Sequence, residues 1–429
     1  MDLRQKIADS PMSGYQWLVV SLAVLLNILD GFDVLAIAFT AKSISGELNL
    51  QPAHIGTLMS AGFIGMALGS FFLAPFADKF GRRPLLITST AIASLGMLMT
   101  YFCSSLESIT FWRVFTGIGV GGILPCTNVI VSEYSNKKWR GLAIAIYAAG
   151  FGIGATLGGM SAILLQTAYG WRSVFLTGAI LTGITVIAIT VFLPESVDYL
   201  LSKRPSKALQ RLQTIAQKIK KTGEWTLVDI SPQQKKGSFF RLFEPSNLVT
   251  TVLIWLSFIG VMSSFYFVSS WTPTLLETAG MSKTHSQSVG IAISLGGTIG
   301  SLVFGFIVSK YSAKSTLMAF TVLSAIAAIW FVNASILAIA ITLAILVGAL
   351  MNGCITGLYT INPTLYDADY RSTGVGAAIG VGRLGSILSP LLAGHLLQIG
   401  WSKENLYFTT AFIMLFVTLT IFLLKSKNR

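Results

Sequence analysis

The chain has 429 residues, of which 53% are hydrophobic and only 11% charged, whereas a soluble domain carries about 25% charged residues. That composition excludes a water-soluble enzyme and defines a polytopic membrane protein. A net charge of +13 would suggest a nucleic-acid partner in a soluble chain, but here the cations collect in the loops of one side, and no nucleic acid is expected.

A spanning helix needs about 20 apolar residues. The first 14 residues are polar, and the apolar run behind them is long enough to span. It reads as a first transmembrane helix rather than a cleaved signal peptide. Spans are predicted at 15–39, 55–77, 85–103, 108–132, 141–165 and 173–193. A polar stretch, 194–247, follows. Further spans are predicted at 248–270, 287–308, 315–333, 336–360, 372–398 and 405–424. The reading is an all-α membrane protein of twelve transmembrane helices in two pseudo-symmetric six-helix bundles, 1–193 and 248–429, joined by a linker at 194–247. Twelve spans put both termini on one side. That side carries 24 Lys and Arg against 4 on the other, so it is expected to be cytoplasmic, in a bacterial inner membrane. Within 205–223, Leu209, Leu212, Ile215, Ala216 and Ile219 recur at helical spacing with Lys and Arg between them. This segment reads either as a basic amphipathic helix on the inner leaflet or as a solvated linker helix.

The two halves are related. "ADKFGRRP" follows the second span and "SKYSAKS" the eighth; "WRGLA" follows the fourth and "YRSTG" the tenth. Both pairs align at an offset of 231 residues. Such duplicated six-helix halves are the plan of an alternating-access transporter, with its substrate site at midplane. The charges within the membrane break the repeat. Asp30 and Asp33 map to Val261 and Ser264, Arg113 to Ala344 and Arg383 to Gly152.

Ionised groups in a span are expensive and mark pathways. Asp30 and Asp33 share a helical face. At ~1.5 Å per residue, Asp30 lies about 22 Å from the inner end of its helix, and Arg113 lies at the same depth in the fourth span. A carboxylate of the first helix can therefore meet the Arg113 guanidinium. Asp30 and Asp33 are the candidate proton carriers, Asp33 first, with Arg113 controlling them; the plain alternative is a permanent bracing ion pair. Arg383 has no acidic neighbour in its own helix, and its planar fork fits a carboxylate. It is the candidate substrate anchor, with Arg113 competing for that role. Phe32, Tyr147, Tyr266, Trp271 and Tyr359 are candidates for enclosing an aromatic ring, each set against plain packing or lipid contact.

"PFADKFGRRP" (75–84 with its flank), "RVFTGIGVGG" (113–122) and "LPES" (193–196) resemble motifs of the major facilitator superfamily. Ala74 stands where that loop motif has its first Gly. "DGFD" (30–33), "WLSFIGVMSSFYFVSSWTPTLL" (255–276) and "GRLGSILSP" (382–390) narrow the resemblance to the aromatic acid:proton symporters. The resemblance implies a proton-coupled importer of a small aromatic or related unsaturated carboxylate, not an enzyme. Its partners would be the organic anion, protons and the lipid bilayer, with no cofactor and no metal; a monomer is expected. It also implies that Asp78, Arg82, Arg83, Glu133 and Arg140 form a charge-relay latch on the inner gate. The alternative reading is a proton-driven multidrug exporter on the same scaffold. "GIGVGG" (117–122) lies in an apolar helix after no strand, so it is no dinucleotide loop but a close-packing stripe. Cys103, Cys126 and Cys354 fall in or beside apolar stretches and suggest no disulfide framework. His54, His285 and His395 lack metal-ligand spacing.

Overall fold

The computed structural model describes residues 3–205, 207–221, 239–332, 334, 336–366 and 371–424, apart from the side chains of Ala74, Pro75, Asp78, Phe239 and Ser372. In chain order the helices are α1 (Leu3–Asp9), α2 (Gly14–Leu48), α3 (Pro52–Phe72), α4 (Ala74–Phe80), α5 (Arg82–Tyr101), α6 (Leu106–Tyr134), α7 (Arg140–Tyr169) and α8 (Arg172–Phe192). Then come α9 (Val197–Lys203), α10 (Ala208–Lys218), α11 (Pro245–Thr278), α12 (Lys283–Val308), α13 (Ala313–Val332), α14 (Leu337–Ile361), α15 (Arg371–Gln398) and α16 (Lys403–Leu423). Among the described residues, 12 helices are long and apolar enough to cross a membrane, one at each predicted span. The protein is an all-α, multi-pass membrane protein.

Local chemistry sets the ends of these helices. Ser105 caps α6 in a reciprocal box with Ser108, which satisfies two of the orphan amides of the first turn. Pro245 opens α11, where its missing N–H is not needed. Gly170 and Gly280 take positive φ, 79° and 97°, just past the ends of α7 and α11, a conformation in which a side chain is strained. Two spans outrun their apolar runs. α2 continues to Leu48 and α11 to Thr278, because hydropathy registers the membrane segment but not a helical turn of mixed polarity that packs on protein. In the extension of α2, Ile44 is buried, and Glu47 accepts a hydrogen bond from Trp171 Nε1 at 2.6 Å.

The described chain forms two compact units. The first is Met1–Val34, Ile64–Gly154 and Arg172–Gln233; the second is Leu35–Phe63, Ala155–Trp171 and Gln234–Arg429. In the first unit α3 crosses α6 at glycines: a Cβ on Gly65 or Gly69 would overlap the backbone of Val114 or Ile118. In the second unit α12 crosses α14 in the same way. A Cβ on Gly296, Gly300 or Gly348 would overlap the backbone of Ile345, Ala349 or Ile293. Gly65, Gly69 and Gly117 stand 231 residues before Gly296, Gly300 and Gly348. The repeat thus extends from the loops into the helix crossings.

The basic amphipathic segment is a helix, but it does not lie apolar face down on lipid, nor is it a free linker. Leu212, Ile215, Ala216 and Ile219 are buried in a cluster with Leu3, Ile7, Leu22, Tyr134, Leu193 and Leu200. Only Leu209 of the predicted stripe remains exposed. The apolar face found a protein surface: α1, α9 and α10 together cap the first unit on the side of the termini. Asp9 pairs with Lys137 at 2.7 Å, and Arg4 with Asp198 at 3.4 Å.

Candidate functional site

The Ser105 cap starts α6 about two turns before Arg113, and Arg113 is only 1% exposed. Its Nη1 donates to Asp33 Oδ1 at 2.6 Å; its Nη2 reaches Asp33 Oδ2 at 3.3 Å and the Asp33 carbonyl at 3.1 Å. This is a two-pronged, buried, charge-assisted pair. The Phe175 ring lies 5.7 Å from Arg113 Cζ. The structure therefore joins the first and fourth spans through Asp33 rather than through Asp30. Asp30 sits within electrostatic range of the Tyr147 hydroxyl. Both aspartates border a small cavity with Thr90 and Thr182 on an otherwise apolar wall, with about 10 Å³ of room for a water-sized sphere. That is the space of roughly one water molecule. Tyr147 is held in place: its hydroxyl meets Thr127 Oγ1 at 2.8 Å, and its carbonyl accepts from Asn27 Nδ2 at 2.6 Å. Phe32 is buried and packs on Gly178 of α8.

In the second unit, Arg383 is half-buried on α15. Among the described residues its guanidinium has no ion pair and no hydrogen-bond acceptor. Tyr359 lies within its electrostatic range, is 44% exposed and tilts against Phe258 at 5.8 Å. Tyr266 stands edge-on to Phe63 at 4.6 Å. Trp271 is 1% exposed and donates Nε1–H to the Pro390 carbonyl at 3.1 Å. It is committed to the packing of α11 on α15. Arg383 and Tyr359 thus form an open cationic and aromatic corner, while Phe32, Tyr147 and Trp271 are enclosed.

The candidate latch is partly assembled. Arg82 Nη1 meets Glu133 Oε1 at 3.2 Å and also donates to Ser196 Oγ. Ser196 Oγ lies 2.6 Å from Glu133 Oε2. Arg83 turns to the Thr190 carbonyl at 2.6 Å, and Arg140 to the Ser135 carbonyl at 3.3 Å. The Asp78 side chain lies outside the described residues. Glu195, whose role inside "LPES" has no signal in the sequence, accepts from the backbone amides of Arg82 at 2.8 Å and Arg83 at 3.1 Å. It receives the first turn of α5 as a carboxylate at a helix N-terminus does.

A second cluster had no signal in the sequence. In the second unit, Gln166 of α7 and Gln287 of α12 both donate to the Phe39 carbonyl of α2, at 3.1 and 2.8 Å. Ser43 Oγ donates to Gln166 Oε1 at 2.8 Å and accepts from Lys283 Nζ at 2.8 Å. Ser60 of α3 donates to the Ile387 carbonyl of α15 at 2.8 Å. The ends of α2, α3 and α7 remote from the termini are thereby bound to α12 and α15. A neutral Gln in a span carries no charge to mark it, and its partner is a backbone carbonyl, which any residue would supply.

Twelve membrane-length helices among the described residues, with a buried Arg–Asp pair and a second arginine on an open wall, suit a membrane transporter rather than an enzyme. The family model of the Major Facilitator Superfamily matches residues 21–300 and 254–429, and the chain belongs to that superfamily. It is 28% identical over 410 residues to the 4-hydroxybenzoate transporter PcaK of Pseudomonas putida, covering 94% of this chain and 91% of the relative. It is 29% identical over 413 residues to the gallate transporter of Pseudomonas putida, covering 95% and 91%. Its fold is similar to the crystal structure of a D-xylose-proton symporter, with a TM-score of 0.76 at 15% identity over 97% of this chain and 99% of that one.

Proposed function

We propose that the protein imports a small aromatic or related unsaturated carboxylate together with protons, by alternating access, in a bacterial inner membrane with both termini cytoplasmic. The relatives named for 4-hydroxybenzoate and gallate support the substrate class and lend nothing to drug export. The loop charges support the orientation. In this reading the halves 1–193 and 248–429 are the moving parts, and 194–247 is the tether. Asp30 and Asp33 handle the proton, Arg383 and Tyr359 receive the acid, and Arg82 with Glu133 belongs to the cytoplasmic latch.

The observation that carries the mechanism is the buried Asp33–Arg113 pair. Protonating Asp33 would leave a guanidinium buried without its counter-ion, a loss of about 3–5 kcal/mol. The loss is avoided only if another anion compensates. Asp30, on the same face and bordering the same cavity, is one such anion; the field of the bound acid's carboxylate, which offsets positive charge, is the other. Proton uptake and substrate binding are thereby linked, and linkage runs both ways. An anion moving into a negative cell works against about 2.3 kcal/mol per 100 mV. At least one accompanying proton cancels that opposition.

The expected result is that binding of 4-hydroxybenzoate takes up protons and tightens as pH falls. Calorimetry in two buffers of different ionisation enthalpy, with the ligand's own ionisation subtracted, reads the uptake. The uptake should shrink in Asp33→Asn, and that variant should lose at least tenfold in proton-driven accumulation. Equal proton uptake and equal accumulation in both proteins would make the pair a brace and nothing more.

A further inference from the structure

We propose that the surface beside Tyr15 at the end of α8 nearest the termini holds one anionic phospholipid, its phosphate bound by Arg83, Lys218 and Lys221. The last turns of α8 expose an apolar stripe, Ile184, Ile187 and Val191, at helical spacing. A helix face of that kind in a membrane protein lies along acyl chains. Where the stripe ends, the chain changes character. Arg83 Nη2 rests on the Thr190 carbonyl, and Tyr15 Oη donates to the Phe192 carbonyl at 2.8 Å. Lys218 Nζ stands 5.4 Å over the Tyr15 ring. Lys221 Nζ donates to the Pro11 carbonyl at 2.8 Å. Burial, then the like charge of Lys6, holds the Lys221 ammonium below its ordinary pKa.

These four cations have no counter-ions among the described residues. Among the described residues none of Lys6, Arg83, Lys218 and Lys221 forms an ion pair. The described acids of this region are engaged elsewhere. Asp9 pairs with Lys137, Asp198 with Arg4 and Glu133 with Arg82, while Glu195 holds backbone amides. A cluster of like charges that needs an anion, placed at the foot of an acyl-chain face, fits a phosphate headgroup. The guanidinium supplies planar donors and the ammoniums point charges. An acyl chain on Ile187 and a phosphate at Lys218 satisfy both halves of the surface at once; a soluble anion would satisfy only one. The proposal rests on the membrane-spanning fold and is independent of the substrate and of the proton route.

The test uses the full-length protein in detergent with a fluorescent phosphatidylglycerol, competed by phosphatidylcholine and by inorganic phosphate. Saturable binding is expected, displaced by unlabelled phosphatidylglycerol and by neither competitor. The double variant Lys218→Gln, Lys221→Gln should bind at least about tenfold more weakly. Lys218→Arg, Lys221→Arg should bind within about threefold of the parent, which separates lost charge from lost folding. Lys138→Gln, Lys310→Gln removes two charges elsewhere on the same side and should leave binding unchanged. Equal weakening in that control variant would reduce the effect to the diffuse charge of the surface and overturn the site. Competition by inorganic phosphate would overturn the lipid as occupant.

Discussion

Arg383 holds a permanent charge beside an aromatic ring and, among the described residues, has no acceptor of its own. A guanidinium in that state binds a carboxylate through two parallel donors, a geometry an ammonium cannot copy. Arg383→Lys is therefore expected to weaken binding of 4-hydroxybenzoate about five- to tenfold, with normal insertion and folding; equilibrium binding in detergent checks it. Unchanged affinity would assign the carboxylate to another cation. The charged residues were the legible part of the candidate site. Asp30, Asp33, Arg113 and Arg383 announce themselves by standing in apolar runs, and depth along two helices sufficed to bring Arg113 to the first span. Which aspartate it meets was not legible, because a three-residue step on one face leaves both within reach of a long side chain. The aromatic candidates divided for a similar reason: sequence shows a ring but not which way its helix turns it. Trp271 and Phe32 point into packing, whereas Tyr359 stays open.

At the scale of elements, the existence of every span was legible from hydropathy, while the lengths of α2 and α11 were not, since their last turns mix polar with apolar residues and pack on protein. The amphipathic pattern of α10 was legible too. Its destination was not, because lipid and an apolar protein surface reward the same stripe equally. The crossing of α12 with α14 allows a sharper expectation. Gly300 and Gly305 share one helix, but a Cβ on Gly300 would overlap the Ala349 backbone, and one on Gly305 would meet nothing within 4 Å. Gly300→Ala should destabilise by about 1–3 kcal/mol through overpacking. Gly305→Ala should stabilise by up to ~1 kcal/mol through helix propensity. Unfolding of the purified protein in detergent reads both, and the opposite signs on one helix separate contact from propensity.

At the scale of the molecule, the proposed alternating access would require that the bonds gathering α2, α3 and α7 onto α12 and α15 form in one state and break in another. Gln287→Leu keeps the volume and removes one of the two donors to the Phe39 carbonyl. Loss of a bond worth about 1 kcal/mol should shift the population several-fold toward opening on the side away from the termini. A reporter Ser294→Cys, one turn along α12 from the Gly290 that meets Phe39, introduced with the native cysteines replaced, should then react faster with an impermeant thiol reagent applied from that side. An unchanged rate would mean that the two glutamines brace the helices without gating them. The glycine crossings bear on the same motion in another way. Position for position they recur in both halves, yet Asp30, Asp33 and Arg113 face Val261, Ser264 and Ala344 across the repeat. Duplication has copied the joinery and let the electrical wiring diverge. A chain assembled from two copies of the second half would inherit its crossings twice over and the Asp33–Arg113 pair not at all, a frame without the charge pair on which the proposed proton coupling rests.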